Sequence, residues 1–555
     1  MNSKHPATFV RLSMAVLFSL LPACGSEAPN EPAGTGTGGS GVGAASGSGG
    51  SGAVTGSGGI ATGTGGVGAA VGGNAPGTGG VDSTTGGIPA TGGSAPGTGG
   101  SLPGTGGSLP GTGGSLPGTG GALPATGGAP ADPSNFALNV EVSSAIPTVG
   151  IATWSLAVPV DSATLEFGRD PSSFELEAPV DLQAADHRTL LLGMKPNTTY
   201  YARVTASGGG QTYVSEVATI ETGFLRNGLP TQTVTDTNAS ALYAGGGFSV
   251  LCTGYTTFGG PSDSSVAFVF DRDGDIVWAY DLSDTVASTC TRARMSLDGK
   301  YMWIGNFGNT TADGALVRIS MDGLGPTSDY ALPGRSHDFA ILPNEHVAYF
   351  ARDDGGADMS PESIFELDPA TGATTLIYSE LTDFGDLFDD RGGHTNQINY
   401  VPDLNALAFS MYFIDTIALV SYPEGQLLAS FGGENSTFST MTWSGQHGHD
   451  VHADHIDIFN NNGTNGGASV LRYGYDLQAR TATQEFDYSA GVSSPAFGDV
   501  KELPNGNYFV TYSTAGVMHE IDASGNLLRE VETSVTIGYV EHRGSLYGRP
   551  PPYGP

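Results

Sequence analysis

Basic residues are scarce in this chain: 21 lysines and arginines stand against 55 aspartates and glutamates, a formal net charge of −34 over 555 residues. So acidic a surface excludes nucleic acid and anionic membrane surfaces as partners held by charge. Any anionic substrate has to be gathered by a local group of donors. Cysteine is nearly absent, with three in the chain. Cys24 stands near the N-terminus, and the spacing of Cys252 and Cys290 matches no metal or redox motif. These two are open to two readings, a disulfide in an exported protein or a pair of buried thiols. Long apolar runs are lacking as well, and the one at residues 12–21 is too short to span a bilayer.

That short run follows Lys4 and Arg11 and leads into Leu21-Pro22-Ala23-Cys24-Gly25-Ser26, the form of an export signal. Its end resembles the lipobox of bacterial lipoproteins. The resemblance implies a signal peptide over residues 1–23, lipidation of Cys24 and attachment to a membrane by that anchor alone. Gly25 and Ser26 lack the aspartate that retains some lipoproteins in the inner membrane, which implies the outer membrane or cell surface of a bacterium. An ordinary cleaved secretion signal is the other reading. Residues 24–132 are mostly Gly, Ser, Thr, Ala and Pro, with a seven-residue period at Gly104-Thr105-Gly106-Gly107-Ser108-Leu109-Pro110. Burial of such residues cannot offset the ordering of their backbone, so a disordered tether is expected, and its glycines exclude a coiled coil.

Between residues 136 and 223 apolar and polar positions alternate, for example from Ala163 to Phe167 and from Tyr200 to Ala206, an all-β pattern with turns at short intervals. The segment Leu192-Gly193-Met194-Lys195-Pro196-Asn197-Thr198-Thr199-Tyr200-Tyr201-Ala202-Arg203-Val204 resembles the fibronectin type III signature. That likeness implies a β-sandwich with Tyr200 as its tyrosine corner and Trp154 in its core, a spacer or docking module without catalysis.

Residues 225–555 repeat paired hairpins. One turn type appears at Asp271-Arg272-Asp273-Gly274, Asp322-Gly323, Asp368-Pro369-Ala370-Thr371-Gly372, Pro423-Glu424-Gly425 and Asp522-Ala523-Ser524-Gly525. A second alternates with it at Leu297-Asp298-Gly299, Leu342-Pro343-Asn344, Val401-Pro402-Asp403 and Leu503-Pro504-Asn505-Gly506. Two hairpins make a four-stranded blade, and the alternation predicts a six-bladed β-propeller.

Eleven histidines are present, and four lie between Gln446 and His455. Imidazole serves as nucleophile, base or metal ligand near neutral pH, which marks this stretch for chemistry. Three histidines recur about one blade apart, His337 in Arg335-Ser336-His337-Asp338, His394 in Gly393-His394-Thr395-Asn396, and His447 in Gln446-His447. A propeller could bring them into one pocket. These segments, with Ile458-Phe459-Asn460-Asn461-Asn462-Gly463 and Gly498-Asp499-Val500-Lys501-Glu502, resemble the bacterial arylsulfate sulfotransferases (ASST), which are six-bladed propellers. The resemblance implies movement of a sulfuryl group from an aryl sulfate to a phenol through a sulfated histidine. His447 would be the nucleophile, and His337, His394 and Asn396 would stabilise charge or protonate the leaving phenolate. No cofactor is required by that chemistry.

Where that family carries an arginine in the strand after its His-x-Asn segment, this chain has Tyr412 in Phe409-Ser410-Met411-Tyr412-Phe413. A phenol brings no fixed charge and no two-pronged grip on an anion, so Arg335 or Arg391 becomes the expected substitute. His449 is a further substrate-binding candidate, sharing a strand face with His447. A metal reading of His447, His449, Asp450, His452 and His455 fails the metallohydrolase pattern, although another spacing leaves a zinc site open. Three functions are compatible with these residues: a nucleotide-independent sulfotransferase for small aryl sulfates and phenols, an inactive ligand- or protein-binding propeller, or a structural surface protein. Donor, acceptor and oligomeric state are not encoded in any motif.

Overall fold

The computed structural model describes residues 136–245, 247–253, 265–286, 290–306, 314–352, 360–388, 392–463 and 466–548. Cys24, Arg391 and the glycine-rich repeats lie outside them. The described chain is nearly all β.

Residues 136–223 form two facing sheets. One contains Phe136–Val142, Gly150–Leu156 and Thr189–Leu191; the other is built on Ser162–Gly168 and Thr199–Gly208. Alternate residues of Thr199–Gly208 are buried, placing Tyr200, Ala202, Val204 and Ala206 against Trp154, Leu165 and Phe167. The Tyr200 hydroxyl accepts a hydrogen bond from the Lys195 backbone N–H at 2.9 Å.

This unit packs closely against the sheets formed by the rest of the chain. Ile146, Val149 and Leu192 share a buried cluster with Val250, Val277, Trp278 and Met321. The Tyr547 hydroxyl donates to the Leu190 carbonyl at 3.0 Å and accepts from the Leu192 N–H at 2.7 Å. The Lys195 ammonium lies 3.2, 2.7 and 2.6 Å from the carboxylates of Asp271, Asp273 and Asp275, filling an acidic turn that would otherwise suit a cation.

Among the described residues from 232 onward the strands fall into six sheets of four or five, taken almost in chain order. The shorter of the two turn types joins the first and second strands of a sheet, and the Asp-Gly type joins the third and fourth. The opening strands Cys290–Met295, Arg335–Ile341, Thr395–Val401, Gln446–Val451 and Asp499–Glu502 pack beside one another from sheet to sheet. Strands from the beginning and the end of this region interlock the series. Gln232–Asp236 pairs with Leu527–Thr533 of the last sheet, and Glu541–Arg543 pairs with Phe248–Cys252 of the first. Cys252 and Cys290 form a disulfide between the first and second sheets, which decides between the two readings of these cysteines.

Candidate active site

Four opening strands break register at nearly the same point, just after they begin. The shift lies between Cys290 and Arg292, between Arg335 and Phe339, between Thr395 and Ile398, and between Gln446 and His449. Extra residues in one strand re-aim side chains out of the two-residue alternation. Those re-aimed are Thr291, Ser336-His337-Asp338, Asn396-Gln397 and His447-Gly448. All the polar ones are buried. Gly448 leaves no choice of residue: a Cβ there would stand 2.5 Å from the Asp499 Cα and 2.5 Å from the Gly498 carbonyl oxygen.

The three histidines singled out in the sequence meet at this end. His337 and His394 pack edge to face with ring centres 4.6 Å apart. Tyr412 bridges onward, its ring 5.8 Å from His394 and 5.4 Å from His447. Phe413 and Phe497 complete the wall, 5.0 Å from His394 and 6.2 Å from His447. Tyr412 therefore occupies the space between the histidines.

His394 reaches the group by an unfavourable backbone. It has φ +54°, whereas the residues that precede the neighbouring opening strands in the same way are Gly334 at +80° and Gly445 at +66°. A side chain at such a φ costs about 1–2 kcal/mol that glycine does not incur. His394→Gly is therefore expected to be about 1 kcal/mol more stable than His394→Ala, since both lose the ring contacts and only alanine keeps the strain. Denaturant midpoints of the two variants check this.

His447 is held in one tautomer. The Asn461 amide nitrogen donates to the Ser494 carbonyl at 2.6 Å and the Phe497 carbonyl at 2.7 Å, so its oxygen faces His447 Nδ1 at 2.9 Å as an acceptor. Nδ1 must carry the proton, and Nε2 keeps its lone pair. Nε2 is buried with no hydrogen-bond partner among the described residues. Burial lowers the His447 pKa to about 4, against opposing hydrogen bonds to the Asn461 oxygen and the Gly445 backbone, so the ring is neutral at neutral pH. Burial holds His337 well below its ordinary value, and the nearby His394, His447, Arg352 and Arg335 add to the effect.

The other expected residues take different places. Asn396 is wholly buried, its amide nitrogen 3.4 Å from the carbonyl of Gln446, which ties two opening strands together. Arg335 is buried, and its charge acts on His337. Its guanidinium donates to the Asn306 carbonyl and lies over Phe339, and burial lowers its pKa to about 10. His449 does not share a face with His447, because the register shift between Gln446 and His449 breaks the alternation. Its backbone N–H donates to Gln397 Oε1 at 2.6 Å, and the charges that act on its ring are those of Lys501, Asp450 and Asp338.

Sequence reasoning misses Asn461 and Arg352. In the sequence Asn461 stands only within the Ile458–Gly463 segment that carries the resemblance, with no role of its own, and its partnership with His447 is a tertiary fact. Arg352 ends Val347–Arg352, packs 4.0 Å from Glu362 and acts electrostatically on His337. It supplies a positive charge from a neighbouring strand at the end where the tyrosine stands.

Below the histidines the opening strands are locked by charge. The Arg292 guanidinium grips Asp338 with two bonds, 2.9 and 3.1 Å, approaches Asp499 at 3.4 Å and lies over the Tyr539 ring. Beyond this lock is a cavity of about 420 Å³, lined by Arg294, Asn399, Asp450, His452, Lys501 and Glu502 among others and by none of the three clustered histidines.

The arylsulfotransferase (ASST) family model matches residues 389–533, a span that holds His394, Asn396, Tyr412 and His447 but not His337. No curated protein matches the chain in a sequence search. Among solved structures, similarity extends to a putative 6-phosphogluconolactonase from Bacteroides fragilis at 14% identity, covering 54% of this chain and 98% of that one with a TM-score of 0.36. Virginiamycin B lyase from Staphylococcus aureus is similar at 14% identity over 54% of this chain and 88% of that one, TM-score 0.30. Apo AztD from Citrobacter koseri is similar at 11% identity, 73% and 97% coverage and TM-score 0.28. Likenesses this loose carry no argument about function.

Proposed function

The match over residues 389–533 supports an arylsulfotransferase-family protein, and on that premise we propose that the chain transfers sulfuryl groups between phenols through His447. The observation that carries this reading is the buried, neutral His447 imidazole with its Nδ1 proton tied to Asn461 and its Nε2 lone pair uncommitted.

His447 Nε2 attacks the sulfur of an aryl sulfate. The N–S bond forms as the S–O(aryl) bond breaks, and the aryl oxygen leaves with the bonding pair as a phenolate or, on receiving a proton, a phenol. A phenol acceptor then gives up its proton and attacks the same sulfur, which frees His447 with its lone pair restored. His337, His394 and Arg352 lie on the flank where charge builds up on the sulfuryl oxygens and the departing oxygen, and Tyr412 offers a hydroxyl there. Preorganised donors act strongly in such a dry site because water does not screen them.

Incubation of the purified protein with p-nitrophenyl sulfate and a phenol acceptor tests the reading. The expected result is nitrophenolate release that depends on acceptor, with a sulfated histidine in the peptide containing His447. Asn461 is a positioning residue in this scheme. Asn461→Ala should lower turnover about 10²-fold by freeing the ring and the tautomer. Asn461→Asp should move the acid limb of the pH–rate profile upward, because a carboxylate facing Nδ1 favours the charged ring. A purely structural asparagine would leave that limb in place.

Tyr412 favours a second reading, a propeller that binds an aryl ligand without turning it over. Its phenol stands where the family has an arginine, and it lines the site with Phe413 and Phe497. Binding of p-nitrophenyl sulfate with no turnover and no modified histidine would establish that reading instead. Export and lipid attachment at Cys24 belong to the proposal for either activity, and incorporation of labelled palmitate that Cys24→Ala abolishes is their test.

A further inference from the structure

The opposite end of the opening strands carries a second histidine cluster that sulfuryl transfer does not use. Gln446–Val451 and His455–Asn460 are joined by a tight turn, closed by the His452 N–H donating to the His455 carbonyl at 2.9 Å. The turn stacks the two imidazoles with ring centres 4.3 Å apart and planes 14° from parallel. Glu502 from the next opening strand reaches both, with Oε2 at 2.9 Å from His455 Nε2 and 4.0 Å from His452 Nε2. Ligand atoms of His452, His455, Asp457 and Glu502 all lie within 4.8 Å of one another.

We propose that this cluster binds one divalent transition-metal ion of the zinc class, through His452 Nε2, His455 Nε2 and Glu502 Oε2. Bonds of about 2.0–2.2 Å at tetrahedral angles put ligand atoms roughly 3.4 Å apart, so the three atoms shift by about 1 Å and the two rings, 14° from parallel, tilt out of their stack to turn both in-plane lone pairs toward one ion.

Three further features agree with an ion there. The first is orientation: His455 Nδ1 faces Asp454 Oδ1 at 2.7 Å, the carboxylate–histidine arrangement that turns Nε2 toward a metal. The second is charge. Asp450, Asp454, Asp457 and Glu502 outnumber their cationic neighbours Arg472 and Lys501 by two, and one dication balances them. The third is access. His452 and Glu502 line the 420 Å³ cavity, so a fourth coordination position opens into it. Asp457 is the poorest of the available ligands, since both its oxygens hold Arg472 at 2.8 and 2.7 Å, whereas Glu502 meets Arg472 mainly through Oε2 at 2.8 Å and must share that oxygen or turn it toward the ion.

The test is metal titration of the full chain after chelator treatment, with Zn²⁺ followed by calorimetry and Co²⁺ followed by its visible absorption. One equivalent should bind, with a tetrahedral cobalt spectrum containing nitrogen ligands. His452→Ala with His455→Ala should abolish it, Asp454→Asn should weaken it about 10- to 100-fold, and His337→Ala with His447→Ala should leave it unchanged. Absence of stoichiometric binding in the parent protein overturns the proposal without recourse to any variant. So does binding that survives loss of His452 and His455, or that is lost with His337 and His447.

Discussion

His447→Ala is expected to reduce sulfuryl transfer on the order of 10³-fold or more and to eliminate the sulfated histidine, while the protein stays folded. The ring is nearly fully buried, but its substitution takes a partner from the Asn461 oxygen and the Gly445 backbone alone, and the Asn461 amide keeps its bonds to the Ser494 and Phe497 carbonyls. A loss of the same size in His337→Ala would not distinguish nucleophile from charge stabiliser. The sulfated peptide does, because His337→Ala should still form it slowly and His447→Ala should not form it at all.

The pH dependence of the parent sharpens the prediction. Protonation of Nε2 destroys the nucleophile, and burial puts that event at about 4 in place of the 6.5 of an exposed histidine. Turnover should stay level as pH falls through 6.5 and drop only toward 4. An acid limb near 6.5 would show that the ring in the working enzyme is hydrated. Stability has the corresponding sign: the unfolded chain binds a proton on His447 below about 6.5 and the folded chain does not until about 4, so folding weakens as pH falls through that interval.

The second large effect lies at Asp338. Asp338→Ala is expected to destabilise the protein by about 3–5 kcal/mol, because it leaves Arg292 buried with only Asp499 at 3.4 Å and removes the carboxylate that the partly buried Arg294 also holds. Chemical denaturation of the parent, Asp338→Ala and Asp338→Asn measures it, and the asparagine variant should fall between the other two. A change below about 1 kcal/mol for alanine would mean that the lock between opening strands is hydrated and weak. The pH window differs from that of the histidines. Desolvation alone would raise the Asp338 pKa, but the two arginines outweigh it and hold the carboxyl at about 2. Its contribution is complete above the unfolded value near 3.9 and is lost as pH falls toward 2.

The linear order of residues determined the strands, the two turn types and their alternation, because period-two burial and the Asp, Asn and Gly requirements of turns are local properties. It also determined which histidines stand one sheet apart. Tyr412 as the departure from the arylsulfotransferase pattern was legible for the same reason, since a missing side-chain type shows in the chain itself. Local order did not determine direction. A strand read at period two puts His447 and His449 on one face, and only the register shift against His455–Asn460, forced where Gly448 meets the backbone of Asp499, separates them. Partners across strands were equally out of reach: Asn461 on Nδ1 of His447 and Arg352 beside His337 stand at the end of the second strand of the same sheet, and Glu502 across from His452 and His455 comes from the next sheet. The tertiary structure decided which imidazole is dry and neutral and which sits among carboxylates, because burial and charge at a side chain are set by the strands that pack around it.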